Sequence, residues 1–380
     1  MRLSSVFSIF VAISIGVLAG CTGGGASKDE IVFGEYGSMT GSESSFGIST
    51  HRGVEMALDE ANAKGGFNGK KFKVISYDNQ GRSEEAVTAI TKLITRDKVP
   101  LVIGEVASSR SIAAGAIAQQ YKIPMISPAS TNPKVTQLGD YIFRVCFIDP
   151  FQGKVMAKFA IENLKKTKAA ILRDIRSDYS VGLADFFVKE FKAMGGEILV
   201  DTAYSTGDID FKSQLTNIRS KKPEVIFIPG YYTEVGLIAR QAKELGLAVP
   251  LLGGDGWDSE KLTEIGQDAI VGHYFSNHYS QEDTRPSVQG FIEKYRARYG
   301  ETPDSMAVLG YDAAVVAVNA VKTAKDLTPA SLRDALAATK GVPGVTGEVN
   351  LNEHRDAVKS AVVMKVAGPK KYSYVTTINP

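Results

Sequence analysis

The chain alternates repeatedly between two hydrophobic periods, and few folds tolerate that pattern. Residues 31–36, 73–77, 101–104 and 123–126 are short apolar runs that read as buried strands. Between them lie stretches with helical spacing. In 53–62, Val54, Ala57, Leu58 and Ala61 share a face, and Gly65-Gly66 ends the helix. In 84–96, with Ser83 as expected cap, Ala86, Ala89, Ile90, Leu93 and Ile94 form a stripe. A third helix is expected over 109–121. Strands apolar throughout need cover on both faces, so strand–helix–strand repetition predicts a parallel sheet between helical layers.

A second series follows Asp149-Pro150. Strands are expected at 169–172, 197–204, 225–229 and 249–252, with helices at 181–194, 211–220 and 234–245. The predicted fold class is therefore α/β, with two Rossmann-like lobes built on parallel-sheet cores. Helices at 288–299 and 306–324 are expected to return to the first lobe, and a strand at 360–366 to close the second. A chain of 380 residues is long enough for such an arrangement. Its net charge of +2 and its lack of basic clusters with interleaved aromatics argue against a nucleic-acid partner.

The N-terminus differs in kind. Met1-Arg2 precedes an apolar run over 6–18 and then Leu18-Ala19-Gly20-Cys21. This is the pattern of a secretory signal peptide, too short for a stable membrane span. Leu-Ala-Gly-Cys resembles the lipobox of bacterial lipoproteins, which implies cleavage before Cys21 and lipidation of its thiol. Residues 22–28 then read as a tether. The other cysteine, Cys146, sits in an apolar run and reads as a core residue. Four scattered histidines lack metal-ligand spacing, and no cofactor is expected.

In doubly wound sheets, ligands bind beyond the carboxyl ends of the strands. Six loops should therefore face one cleft: 37–47, 105–111, 127–133, 173–179, 230–233 and 253–257. The loop 127–133 reads Ser-Pro-Ala-Ser-Thr-Asn-Pro, stiff, neutral and rich in hydroxyls. Ser108 and Ser109 open a helix, where one can cap and the other can help hold an anion. The second series contributes Tyr179, Tyr231, Tyr232, Asp255 and Trp257, with Asp255 between glycines. Taken singly, these are a solvated turn, an N-cap and an Asx-turn. Together, a helix terminus opposite a carboxylate suits a zwitterion such as an α-amino acid. No GxSxG elbow, P-loop or HExxH accompanies them, which argues against an enzyme.

The segments GSMTGSESSFG, NAKGG, GEVASS, SPASTNP, DYSVG, PGYYTEVG and GGDGWD resemble the branched-chain amino acid binding proteins of bacterial ABC importers. These are type I periplasmic binding proteins of the leucine/isoleucine/valine kind, and the likeness runs from about residue 31 to the C-terminus. It implies a three-crossover hinge near Asp149, Ser276 and Lys359. The lobes would be 30–149 with 277–358, and 150–276 with 359–380, after a signal peptide (1–20) and a lipidated tether (21–29). It implies a ligand carboxylate on Ser108 and nearby N–H groups, helped by Thr131; Ser109 and Ser130 are further ligand-binding candidates in the same loops. The ammonium group would meet the Ala129 carbonyl, Thr131 and Asp255. Tyr179 and Tyr231 would close from the other lobe, Phe46 would line the side-chain pocket, and Trp257 would narrow it. Asp255 departs from the glutamate of the prototype by one methylene. The implied partners are an apolar amino acid, an ABC permease with its ATPase, and a membrane reached through the Cys21 anchor. The implied state is a monomer in the cell envelope, periplasmic or extracytoplasmic. The alternative is a sensory module of the same fold binding an amide or other small metabolite. A secreted α/β enzyme is a third reading, which turnover of bound amino acid would reveal.

Overall fold

A computed structural model describes residues 29–380. The signal segment, Cys21 and most of the tether lie outside the described residues.

The first sheet has the order β2-β1-β3-β4-β5, all parallel. Its strands are β1 (Glu30–Gly37), β2 (Lys71–Asp78), β3 (Val102–Ile103), β4 (Met125–Ser127) and β5 (Ile142–Arg144). They are linked by α1 (Ser44–Ala63), α2 (Ser83–Thr95), α3 (Ser108–Tyr121) and the short α4 (Lys134–Gln137). The chain then passes through α5 (Asp149–Lys158) into β6 (Lys168–Asp174), α6 (Asp178–Ala193), β7 (Glu197–Tyr204) and α7 (Lys212–Lys221). It continues with β8 (Val225–Phe227), α8 (Tyr232–Glu244), β9 (Leu251–Gly253), α9 (Glu260–Gly266) and β10 (Tyr274–Asn277). These five strands pair as β7-β6-β8-β9-β10, which repeats the winding of the first sheet. In each sheet the order reverses beside its first strand, and that reversal opens a crevice at the carboxyl ends.

The chain crosses back after β10. Helices α10 (Pro286–Tyr299), α11 (Ser305–Thr323) and α12 (Pro329–Ala337) precede a small hairpin, β11 (Val342–Gly344) and β12 (Gly347–Val349). Helix α11 packs along α1 on the first lobe. Gly53 and Gly310 permit the close approach: a Cβ on the first would stand 2.0 Å from the Ala307 carbonyl oxygen, and one on the second 2.4 Å from that of Thr50. A third crossing brings β13 (Ala361–Gly368) antiparallel onto β10, and β14 (Lys371–Ile378) pairs antiparallel with β13.

Two expectations about local structure are corrected. Helix α1 starts at Ser44, so the last four residues of the presumed 37–47 loop are helical. The reason is tertiary: Phe46, Gly47 and Thr50 extend the buried face that continues through Val54. Ser83 does not cap α2; Arg82 holds the cap position without a side-chain bond. Cys146 is buried, and burial pushes its thiol pKa up to about 12.

Candidate functional site

Loops from both lobes line a small cavity between them. Its polar ends differ in charge, and its middle is apolar.

The first end is the start of α3. Ala107 occupies the cap position and neither serine caps the helix, contrary to the expectation for this turn. Ser108 lines the cavity, and its hydroxyl accepts from the Asn132 N–H at 3.2 Å. Ser109 is not among the lining residues. Its hydroxyl accepts from the N–H of Asp178 at 2.9 Å, a contact between lobes. Arg110 sits beneath but is fully engaged. It pairs with Glu43, and its Nε donates to Glu105 at 2.8 Å. An anion at this end therefore meets neutral donors, the Ser108 hydroxyl and the first-turn N–H groups of α3.

The loop 127–133 forms the floor, and its three hydroxyls divide the work. Ser127 and Ser130 each donate to the Glu105 carbonyl, at 2.7 and 2.8 Å, tying the loop to the β3–α3 turn. Ser130 thus stays out of the cavity, while Ala129 and Thr131 line it. The prolines are helped by a buried cation, Arg144 at the end of β5. It donates to the carbonyls of Ser130 at 2.6 Å and Asn132 at 2.9 Å and to the Thr136 hydroxyl at 2.8 Å, and it pairs with Asp356 at 2.6 Å.

The second end is Asp255, in a short turn after β9. Its Oδ1 accepts from Gln152 Nε2 at 2.8 Å and from the Tyr179 hydroxyl at 2.9 Å, and its Oδ2 lies 2.9 Å from His278 Nε2. A carboxylate offers about four acceptor positions, so one on Oδ2 is left for a ligand. Burial, with Asp255 adding, raises the Tyr179 pKa well above its usual range, so Tyr179 stays a donor. The glycines beside Asp255 admit protein groups: a Cβ on Gly254 would meet the Tyr179 hydroxyl at 2.3 Å, and one on Gly253 the Trp257 ring at 2.0 Å. Trp257 does not narrow the cavity as expected. It is wholly buried beside β9, and its Nε1 donates to the Ile228 carbonyl at 3.0 Å.

Between the ends, Phe46, Val106, Met306 and Tyr231 form the apolar wall. Phe46 rides on the first turn of α1, edge-on to Tyr231 and Tyr232 of the other lobe. Tyr231 stacks on Tyr179 with centroids 5.2 Å apart. Further contacts across the cleft join Ser45 to Ser259 at 2.8 Å and Thr233 to the Ser42 carbonyl at 2.7 Å. The lobes are closed on each other.

Seven residues singled out from sequence therefore meet here: Phe46, Ser108, Ala129, Thr131, Tyr179, Tyr231 and Asp255. Val106, Gly256 and Met306 were missed, as were Gln152 and His278 behind Asp255. The strand-end rule would have flagged the segment holding Gln152, had β5 been read as a strand. Met306 and His278 arrive from chain returning after β10, for which no local signal exists.

The chain resembles proteins already characterised. It is 31% identical over 330 residues to a Leu/Ile/Val-binding protein of Rhizobium johnstonii, covering 86% of this chain and 89% of that protein. Among solved structures, a leucine binding protein, LivK, from Thermotoga maritima shares 37% identity at a TM-score of 0.88, covering 92% of this chain and 99% of the other. The branched-chain amino acid transporter substrate binding protein LivJ of Streptococcus pneumoniae, solved with isoleucine, shares 34% identity at 0.87, covering 92% and 100%. The periplasmic binding protein family model matches residues 30–371, and with two doubly wound lobes closed over a polar-ended cavity, the chain belongs to that family, in its type I fold.

Proposed function

We propose that the chain is the extracytoplasmic receptor of an ABC importer, which closes on an aliphatic α-amino acid and delivers it to a permease and its ATPase. The observation that carries this reading is the cavity's polarity. The lining combines neutral donors of Ser108 and the α3 terminus, acceptors of Thr131 and Asp255, and the apolar side chains of Phe46, Val106 and Met306. A zwitterion with an apolar side chain satisfies all three. The relatives named for leucine, isoleucine and valine support it. The two binding units are residues 30–149 with 277–358 and 150–276 with 359–380, and the receptor acts as a monomer.

The reading is tested by calorimetry on protein lacking residues 1–21, titrated with leucine, isoleucine, valine and 4-methylpentanoate. The expected result is one-site binding of at least one amino acid, with 4-methylpentanoate at least about 30-fold weaker, because it leaves the buried acceptors unpaired. Binding of none of the three amino acids would overturn it.

The lipobox-like Leu18-Ala19-Gly20-Cys21 supports a lipid anchor on Cys21. Stable attachment takes more than one acyl chain. A fatty-acid analogue fed to cells is expected to label the wild-type protein and not Cys21→Ser; equal labelling of both would remove the anchor from this proposal.

A further inference from the structure

Behind the cavity floor lies a group of buried polar side-chain atoms without hydrogen-bond partners. Asp149, the first residue of α5, is wholly buried, and neither carboxylate oxygen has a hydrogen-bond partner. The Oγ1 of Thr131, a residue that lines the cavity, and Gln152 Oε1 are likewise unpartnered. The Asp149 N–H donates to the Thr131 carbonyl at 2.9 Å, so the two residues are fixed side by side. Buried polar groups are nearly always paired, and an unpaired buried carboxylate is especially costly. Arg144, the nearby buried cation, is committed to Asp356 and to the loop carbonyls. Three unpartnered carboxyl and amide oxygens, two of Asp149 and one of Gln152, thus lie beside one unpartnered hydroxyl, that of Thr131, and the nearby cation is committed elsewhere.

We propose that Asp149 is the second carboxylate of the ammonium subsite, acting through Thr131: its oxygen takes the Thr131 hydroxyl hydrogen, which turns the hydroxyl lone pairs into the cavity toward the ligand's ammonium group. Asp149 is then a positioning residue that also contributes charge from behind the floor. This rests on the amino-acid reading given above. Burial pushes the Asp149 carboxyl well above the usual range, nearby Asp255 raises it further, and the Thr131 hydroxyl and Arg144 pull it back. An arriving ammonium supplies the cation that keeps it ionised. Asp255 holds three donors already, so the two acids have different tasks. Asp255 receives the ammonium directly with its last free position, and Asp149 sets the orientation of the hydroxyl beside it.

The test is Asp149→Asn, which keeps the shape and removes the charge. Leucine and 4-methylpentanoate are titrated into wild type and variant, the weak ligand by competition. Leucine affinity is expected to fall at least about 30-fold in the variant, while that of 4-methylpentanoate changes by less than about threefold. The ligand-free variant is expected to unfold at a temperature no lower than wild type, because a buried carboxyl without a partner has gone. A purely structural role would instead weaken both ligands in proportion and lower the unfolding temperature, and either outcome overturns the assignment, as does unchanged leucine binding. Wild type that binds no leucine, isoleucine or valine would overturn the receptor reading itself and this inference with it.

Discussion

Replacing Asp255 with alanine is expected to weaken leucine binding by roughly 2–5 kcal/mol, about 30-fold or more. The residue is 3% exposed, so an ammonium group seated beside it has no water to fall back on. The substitution acts twice. It removes the counter-charge, and it strands Gln152 Nε2 and the Tyr179 hydroxyl, which now converge on Oδ1. Tyr179 stacks on the wall residue Tyr231, so the closing face loses its anchor as well. Calorimetry with leucine checks this. An affinity equal to that of wild type would mean that Asp255 only shapes its turn.

The largest loss of stability is expected from Arg144→Met. Breaking one side of a buried ion pair costs about 3–5 kcal/mol, because the partner stays buried and uncompensated. Here the partner is Asp356, and the carbonyls of Ser130 and Asn132 each lose their guanidinium donor, keeping only the Cys146 thiol and the Val135 N–H. The urea midpoint should fall, and leucine binding should weaken with it, since Ala129 and Thr131 sit on the released loop. Arg144→Lys should recover only part of the loss: one ammonium cannot span the loop carbonyls, the Thr136 hydroxyl and Asp356 together. A stability change below about 1 kcal/mol in Arg144→Met would show that the prolines and the Ser127 and Ser130 hydroxyls hold the loop without it.

The lobes were legible in the sequence because their strands are apolar runs and their helices carry stripes, both local patterns. Loops after strands were legible by the same logic, so the loops holding Ser108, Ala129, Thr131 and Asp255 could be grouped, while the parts given to Ala129 and Thr131 came from the family resemblance. What stayed hidden depends on distance along the chain. Arg144 ends an apolar strand, and nothing nearby in sequence announces that its partners are loop carbonyls and Asp356. His278 reaches Asp255 and stacks on Phe147 at 3.8 Å, joining two hinge crossings that lie far apart in sequence. Trp257 was misplaced for a local reason: the turn at 255–257 swings its ring back over Gly253, and sequence does not show which way a turn faces.

The route of the chain also sets a condition on how quickly it can fold. β10 keeps an open edge until β13 pairs with it, yet the intervening chain first builds α10, α11 and α12 on the other lobe. The buried face of α1 likewise waits for α11. Neither lobe is completed by a contiguous stretch, so loop closure over long separations must precede most of the gain from burial. Meanwhile an unpaired strand edge and an apolar helix face remain open to other chains. For a chain proposed to pass through a membrane before it works, that slowness keeps the polypeptide threadable during transit, and it leaves the chain prone to aggregation until the last two strands arrive.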